Sequence, residues 1–167
     1  VTFAENALVK ARALVTATGL PAVADDSGLA VDVLGGAPGI FSARWAGRHG
    51  DDAANLELLL AQLRDVRAEH RRARFVCAAA LVTPDGHEVV RTGEMRGTLL
   101  TAPRGENGFG YDPVLEPDEQ PAVAGADATA PRRSAAELDP AEKNAISHRG
   151  TAFRALAPEI VSALAPR

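Results

Sequence analysis

At 167 residues, with 46% hydrophobic side chains but only 4% aromatic ones, the chain has the length of one domain and a core drawn mainly from Ala and Val. A formal net charge of −4 gives no general attraction for nucleic acid or an anionic membrane, and no apolar run reaches the ~20 residues that span a bilayer. The single cysteine, Cys77, excludes an internal disulfide framework and suits a buried strand position in a cytoplasmic protein.

Residues 1–19 read as a helix. Thr2 and Glu5 match a capping box, apolar residues recur at helical spacing from Phe3 to Val15, and Gly19 marks the stop. "PAVA" (21–24) is extended and leads to Asp25 and Asp26, placed by this reading at a strand end. "GLAVDVL" (28–34) is a second extended or hairpin segment, and the Gly-rich stretch 35–50 is a loop. Asp51 or Asp52 caps a helix over 51–66 with a leucine face. Residues 72–95 form two strands joined at Pro84-Asp85-Gly86, and 96–105 continues as a strand or edge. A Gly-rich loop, 105–115, enters a short strand. Residues 116–133, rich in Pro and Ala without periodicity, read as a mobile surface loop. Asp139, Pro140 and Glu142 match a cap, a first-turn proline and a capping-box acid. A mostly helical tail follows, with Pro158 starting or kinking its last part. Elements in this order predict an α/β fold with a mixed rather than purely parallel sheet.

Three stretches carry groups suited to chemistry. "DDSG" (25–28) offers carboxylates, a hydroxyl and an approachable backbone; Mg²⁺ needs only one or two carboxylates when a phosphate and waters complete its shell. "GENGFGYDP" (105–113) sets Phe109 and Tyr111 among glycines, where a ring can stack on a planar base, and Asp112 can accept from a base N–H. "EKNAISHRG" (142–150) gathers Lys143, His148 and Arg149 as donors to phosphate or carbonyl oxygens. Each alone has a plain structural reading: a turn ending a strand, a core aromatic, a solvated helix face. Together, acid, aromatic and cation suit a metal-bound nucleotide. No G-x-x-x-x-G-K-[ST] loop, dinucleotide fingerprint, zinc spacing or G-x-S-x-G serine occurs.

The stretches "TFAENALVKARA", "TGLPAVADDSGLAVDVLGGAPGIFSARWAG", "PRGENGFGYDPV" and "SAAELDPAEKNAISHRG" closely resemble, in order, the inosine triphosphate pyrophosphatase family, which acts on non-canonical purine nucleoside triphosphates. The bacterial branch looks most similar. The resemblance implies an elongated mixed sheet flanked by helices, with the active site in a cleft between two lobes. It implies Mg²⁺-dependent hydrolysis of ITP, dITP or XTP to the monophosphate and pyrophosphate, cleansing the nucleotide pool, by a homodimer. On this resemblance Asp26 is the catalytic proton acceptor and metal ligand, and Ser27 a substrate contact. Phe109, Gly110, Tyr111 and Asp112 form the base-binding loop; Lys143, His148 and Arg149 are further substrate contacts; and Lys10 is a phosphate contact. Two features depart from the family pattern. The segment 116–133 is longer than usual, and the family's Ser/Thr-x-Asn-x-x-Lys phosphate loop has no counterpart. The expectation is therefore that this sequence is an incomplete version of a longer protein, poorly stable and nearly inactive as written. The competing readings are a nucleotide-binding or dimerisation remnant, and a metal-dependent phosphatase. The absent D-x-D spacing and the base loop weigh against the second.

Overall fold

A computed structural model describes residues 1–122 and 131–165 of the chain. Helix α1 (Phe3–Thr18) begins where the Thr2 hydroxyl accepts the Glu5 amide, and ends where Gly19, at φ 69°, returns its N–H to the Val15 carbonyl. Strand β1 (Ala22–Val31) then runs without interruption through both aspartates. The expected strand end at Asp25–Asp26 is thus corrected, as is the split into two extended segments. Side chains alternate across a sheet, so the neighbouring carboxylates leave on opposite faces and need not repel at contact.

Within the predicted loop 35–50, residues Gly39–Arg44 wind into a short 3₁₀ helix packed against β1. Gly28 permits this contact, since a Cβ there would lie 2.4 Å from the Gly39 carbonyl oxygen and 2.6 Å from Ser42 Oγ. Helix α2 (Asp52–Gln62) is capped by Asp51 and stops short of the predicted residue 66. Strands β2 (Arg72–Val82) and β3 (Glu88–Leu99) form the expected hairpin, and β4 (Leu115–Pro117) closes the edge. The order is β1-β2-β3-β4: the expected α/β sheet flanked by helices is present, and among the described residues its pairings are antiparallel where a mixture was expected. The α2 excursion is the decisive link. Val31 pairs with Ala73, so the chain re-enters the sheet at the end where it left, and no crossover is made.

Residues 123–130, the centre of the predicted mobile loop, lie outside the described residues. Its flanks are held: Glu116 and Pro117 belong to β4, Arg132 donates to Glu116 and to the Pro117 carbonyl, and Arg133 forms a bidentate pair with Glu142. Helix α3 (Pro140–Ile146) has the predicted reciprocal box between Asp139 and Glu142. The helical tail breaks at Ser147 rather than Pro158. Ser147 is extended at ψ 147° and caps α4 (His148–Leu164) through the Gly150 amide, while Pro158 is accommodated on the exposed side of α4.

Alternation on β2 assigns the two sheet faces. Ala78, Ala80 and Val82 pack under Ala7 and Ala11 of α1; Cys77, Ala79 and Leu81 pack under Ala152 and Leu156 of α4. Toward the other end of the strands, Leu29, Phe75 and Met95 join Leu59 and Leu63 of α2 with Tyr111, Val114 and Leu138. Small alanines let α1 and α4 sit close to the sheet, as the aromatic-poor composition requires. Beneath α2 lies Arg71, only 2% exposed, donating to the carbonyls of Leu63, Val66, Leu99 and Leu100.

Candidate active site

Midway along β1, at the edge of the sheet, stand two groups of polar side chains, one per face. On the α1 face, Asp26 accepts from Lys10 Nζ at 2.6 Å and from the Asn6 side-chain amide at 3.0 Å. Asn6 and Lys10 stand four residues apart on one helical face. On the α4 face, Asp25 accepts from Arg149 at 3.1 Å, with Ser27 Oγ at 3.4 Å and Cys77 Sγ at 3.7 Å from its Oδ2. Burial pushes the Cys77 thiol up to about 11, with smaller effects from the neighbouring hydroxyl and charges, so it stays a thiol here.

The N-terminus of α4 is set against the sheet by Gly93. A Cβ at that position would come within 2.1 Å of the His148 carbonyl oxygen and 2.7 Å of the Ala152 nitrogen. Gly93 pairs with Cys77, and Cys77 with Ser27, so His148 and Arg149 are delivered above the row that carries Ser27. The His148 ring stacks on Phe75 at 5.0 Å, and its buried Nδ1 has no hydrogen-bond partner among the described residues. A buried unpaired ring nitrogen costs about 1–3 kcal/mol, which a ligand group placed there would recover.

Burial, reinforced by Lys143 and Arg149, lowers the His148 pKa from 6.5 to about 4. The unfolded chain takes up this proton as pH falls through about 6.5, whereas the folded chain resists until about pH 4. Stability due to His148 is therefore present above pH 6.5 and lost on acidification through that window. Urea unfolding at pH 7 and pH 5 is expected to show a wild-type loss roughly 1–2 kcal/mol larger than that of His148→Asn. Equal losses would show that this imidazole titrates normally.

The third pair is Lys143 with Asp112, at 2.5 Å and nearly buried. Asp112 also accepts the Phe109 amide at 2.8 Å, while the Tyr111 hydroxyl donates to the Ser42 carbonyl. Asp112 and Tyr111 are thus buried supports, and Phe109, 72% exposed with Lys143 Nζ 5.0 Å from its ring centre, is the outward member of the predicted base loop. Gly110 turns this loop at φ 61°.

The structure therefore unites Ser27, His148 and Arg149 on one face and links Lys143, Asp112 and Phe109 to one another. Asp26 and Lys10 stand on the other face, one residue along β1. The sequence reading gave no role to Asn6 or to the Asp25–Arg149 pair. The i, i+4 spacing of Asn6 and Lys10 is a signal that could have exposed the first; the second joins residues 124 apart. Lys10, Lys143 and Arg149, the candidate phosphate and base contacts, are each matched by one carboxylate. Among the described residues no cluster of three or more His, Cys, Asp or Glu forms a preformed metal cage, and no helix is long and apolar enough to cross a membrane.

A sheet whose first strand carries paired acids and cations, together with an exposed aromatic loop tied to Lys143, has the make-up of a nucleotide-handling α/β domain. The chain belongs to the Ham1 family, whose model matches residues 1–159. It is 66% identical over 160 residues to a dITP/XTP pyrophosphatase of Streptomyces avermitilis, covering 96% of this chain and 74% of that protein. It is 62% identical over 161 residues to one of Frankia alni, covering 93% and 74%. Among solved structures, it resembles the nucleoside-triphosphatase / dITP/XTP pyrophosphatase of Mycobacterium abscessus with a TM-score of 0.76 at 55% identity, over 95% of this chain and 76% of that one. The Ham1 protein of Staphylococcus aureus gives a TM-score of 0.82 at 38% identity, over 97% and 78%.

Proposed function

We propose that this chain is a nucleoside-triphosphate pyrophosphatase that hydrolyses dITP, XTP and ITP to the monophosphate and pyrophosphate, removing miscoding purines from the nucleotide pool. The observation that carries this reading is the set of cation–carboxylate pairs, Lys10–Asp26 on one face of β1, Arg149–Asp25 on the other, and Lys143–Asp112 under an exposed Phe109, with an unpaired His148 nitrogen on the Arg149 face. A nucleoside triphosphate brings roughly three to four negative charges, and attack by water on phosphorus requires their neutralisation. Lys10 and Arg149 are half exposed and able to turn from their carboxylates to phosphate or base oxygens.

Asp26 fits a substrate-bridged Mg²⁺, because such an ion takes one or two carboxylates and completes its shell with phosphates and waters. When bound, the ion supplies charge neutralisation and lowers the pKa of a coordinated water. Asp26 would hold the ion and accept a proton. Phe109 offers its face to the purine. Arg149 and His148 offer donors to a 6-keto oxygen, and a 6-amino group in that place leaves donor facing donor. A homodimer acting in the cytoplasm completes the proposal; light scattering in solution tests the assembly.

The test is direct. The protein is incubated with Mg²⁺ and dITP, XTP, ITP or ATP, and the phosphorus products are separated. Pyrophosphate from the keto purines supports the reading; orthophosphate alone, or no product, rejects it. Arg149→Ala is expected to narrow the ITP-over-ATP preference in kcat/KM by ~5- to 150-fold, the worth of about 1–3 kcal/mol for one hydrogen bond enclosed by the bound base. An unchanged ratio moves Arg149 to phosphate.

A further inference from the structure

Asp52 stands in the first turn of α2, yet the capping is done by Asp51, whose carboxylate accepts the Ala54 amide at 3.2 Å. Asp52 reaches elsewhere. Its Oδ2 accepts the Gly110 amide at 3.0 Å, across 58 residues of sequence. The preceding amide, that of Phe109, is held by Asp112. Two consecutive N–H groups are thus gripped by carboxylates from different parts of the chain, and the ring between them points outward. Gly108 at φ 79° and Gly110 at φ 61° flank that ring. Such backbone is the freest in a protein unless hydrogen bonds fix it. On the Gly108 side the fixing group is Asp112. On the Gly110 side it is Asp52. The Asp52 charge also lies near the Tyr111 phenol, whose pKa is pushed up by burial first and by Asp52 second.

We propose that Asp52 is a positioning residue for purine recognition: by holding the Gly110 amide it sets the angle at which the Phe109 ring meets the base. The proposal rests on the reading that Phe109 is the platform for that base. An ordinary alternative is that Asp52 only favours the positive end of α2, as any acid in a first turn does. The two differ in what asparagine does. Asn keeps a side-chain oxygen for the Gly110 amide but loses the charge.

The experiment uses the full chain labelled with fluorophenylalanine. Five phenylalanines give the ¹⁹F signals, and the Phe109 signal is identified by its loss in Phe109→Leu. In Asp52→Ala the Phe109 signal is expected to shift or broaden while the other four stay, and in Asp52→Asn to match wild type. In the same proteins KM for dITP rises ~3- to 10-fold in Asp52→Ala with kcat within about twofold, and is restored in Asp52→Asn. Adding Asp52→Ala to Phe109→Leu raises KM no further, because the ring being positioned is gone. A Phe109 signal indifferent to Asp52→Ala overturns the proposal, as does an Asn variant that behaves like Ala. A shifted signal with an unchanged KM overturns the role in recognition while leaving hydrolysis intact. Absence of hydrolysis by the wild-type chain removes the functional reading and this proposal with it, and is told apart by the wild-type assay alone.

Discussion

Asp26→Asn is expected to lower pyrophosphate release from dITP by ~100-fold or more while leaving nucleotide binding measurable. The substitution is nearly isosteric. An asparagine oxygen can still accept from Lys10 or Asn6, so the α1 face of β1 keeps its shape. What disappears is a group able to take a proton from water and a negative charge able to hold a cation. Loss of a positioned general base alone costs ~10²–10⁴-fold, and loss of a metal contact adds to that. Binding follows the opposite logic. In the wild type the Lys10 ammonium is already neutralised by Asp26, so a phosphate must compete with the carboxylate for it. Removing that charge frees Lys10, and nucleotide affinity in metal-free buffer is expected to hold or rise. Titration calorimetry beside the product assay separates the two effects. Wild-type turnover would remove Asp26 from the chemistry, and loss of binding in step with turnover would make it a binding group.

Arg71→Met is expected to destabilise the fold by about 3 kcal/mol or more, without touching the site. Hydrogen bonds to a charged donor contribute about 1.5–3 kcal/mol each, and this guanidinium serves four carbonyls in a place water barely reaches. Methionine fills much of the volume but leaves those oxygens without their donor, at the joint between α2 and the end of β3. Arg71→Lys should recover only part, because one ammonium nitrogen cannot span carbonyls that three guanidinium nitrogens reach separately. For a domain of this size the Met variant should melt roughly 6–12 °C lower. A change below about 1 kcal/mol in urea unfolding would mean that water replaces the guanidinium there.

How much of the candidate site was legible can be judged residue by residue. Phe109 on its glycine loop and the pairing of Lys143, His148 and Arg149 with a helix junction were readable from residue type and local spacing. The inward fate of Asp112 and Tyr111 was not, because their partners, Lys143 and the Ser42 carbonyl, are 31 and 69 residues away. Asp52 was readable as a helix-start residue only; its hold on Gly110 belongs to the assembled molecule.

The sequence by itself determined the features closed within about four residues. These are the Thr2 and Gly19 caps of α1, the Asp139–Glu142 box of α3, and the Pro-Asp-Gly turn between β2 and β3. Their donors and acceptors meet on any path the rest of the chain takes. Tertiary structure alone decided the rest. It carried β1 straight through Asp25 and Asp26, because the cations that compensate them come from helices on opposite faces. It made the sheet antiparallel, because α2 returns the chain to the end it left. It also separated Arg71 from its neighbour Arg72, one sealed among carbonyls and the other paired with Asp118 near solvent. Two identical side chains in succession carry no local difference; only the surroundings that the fold assembles give each a separate role.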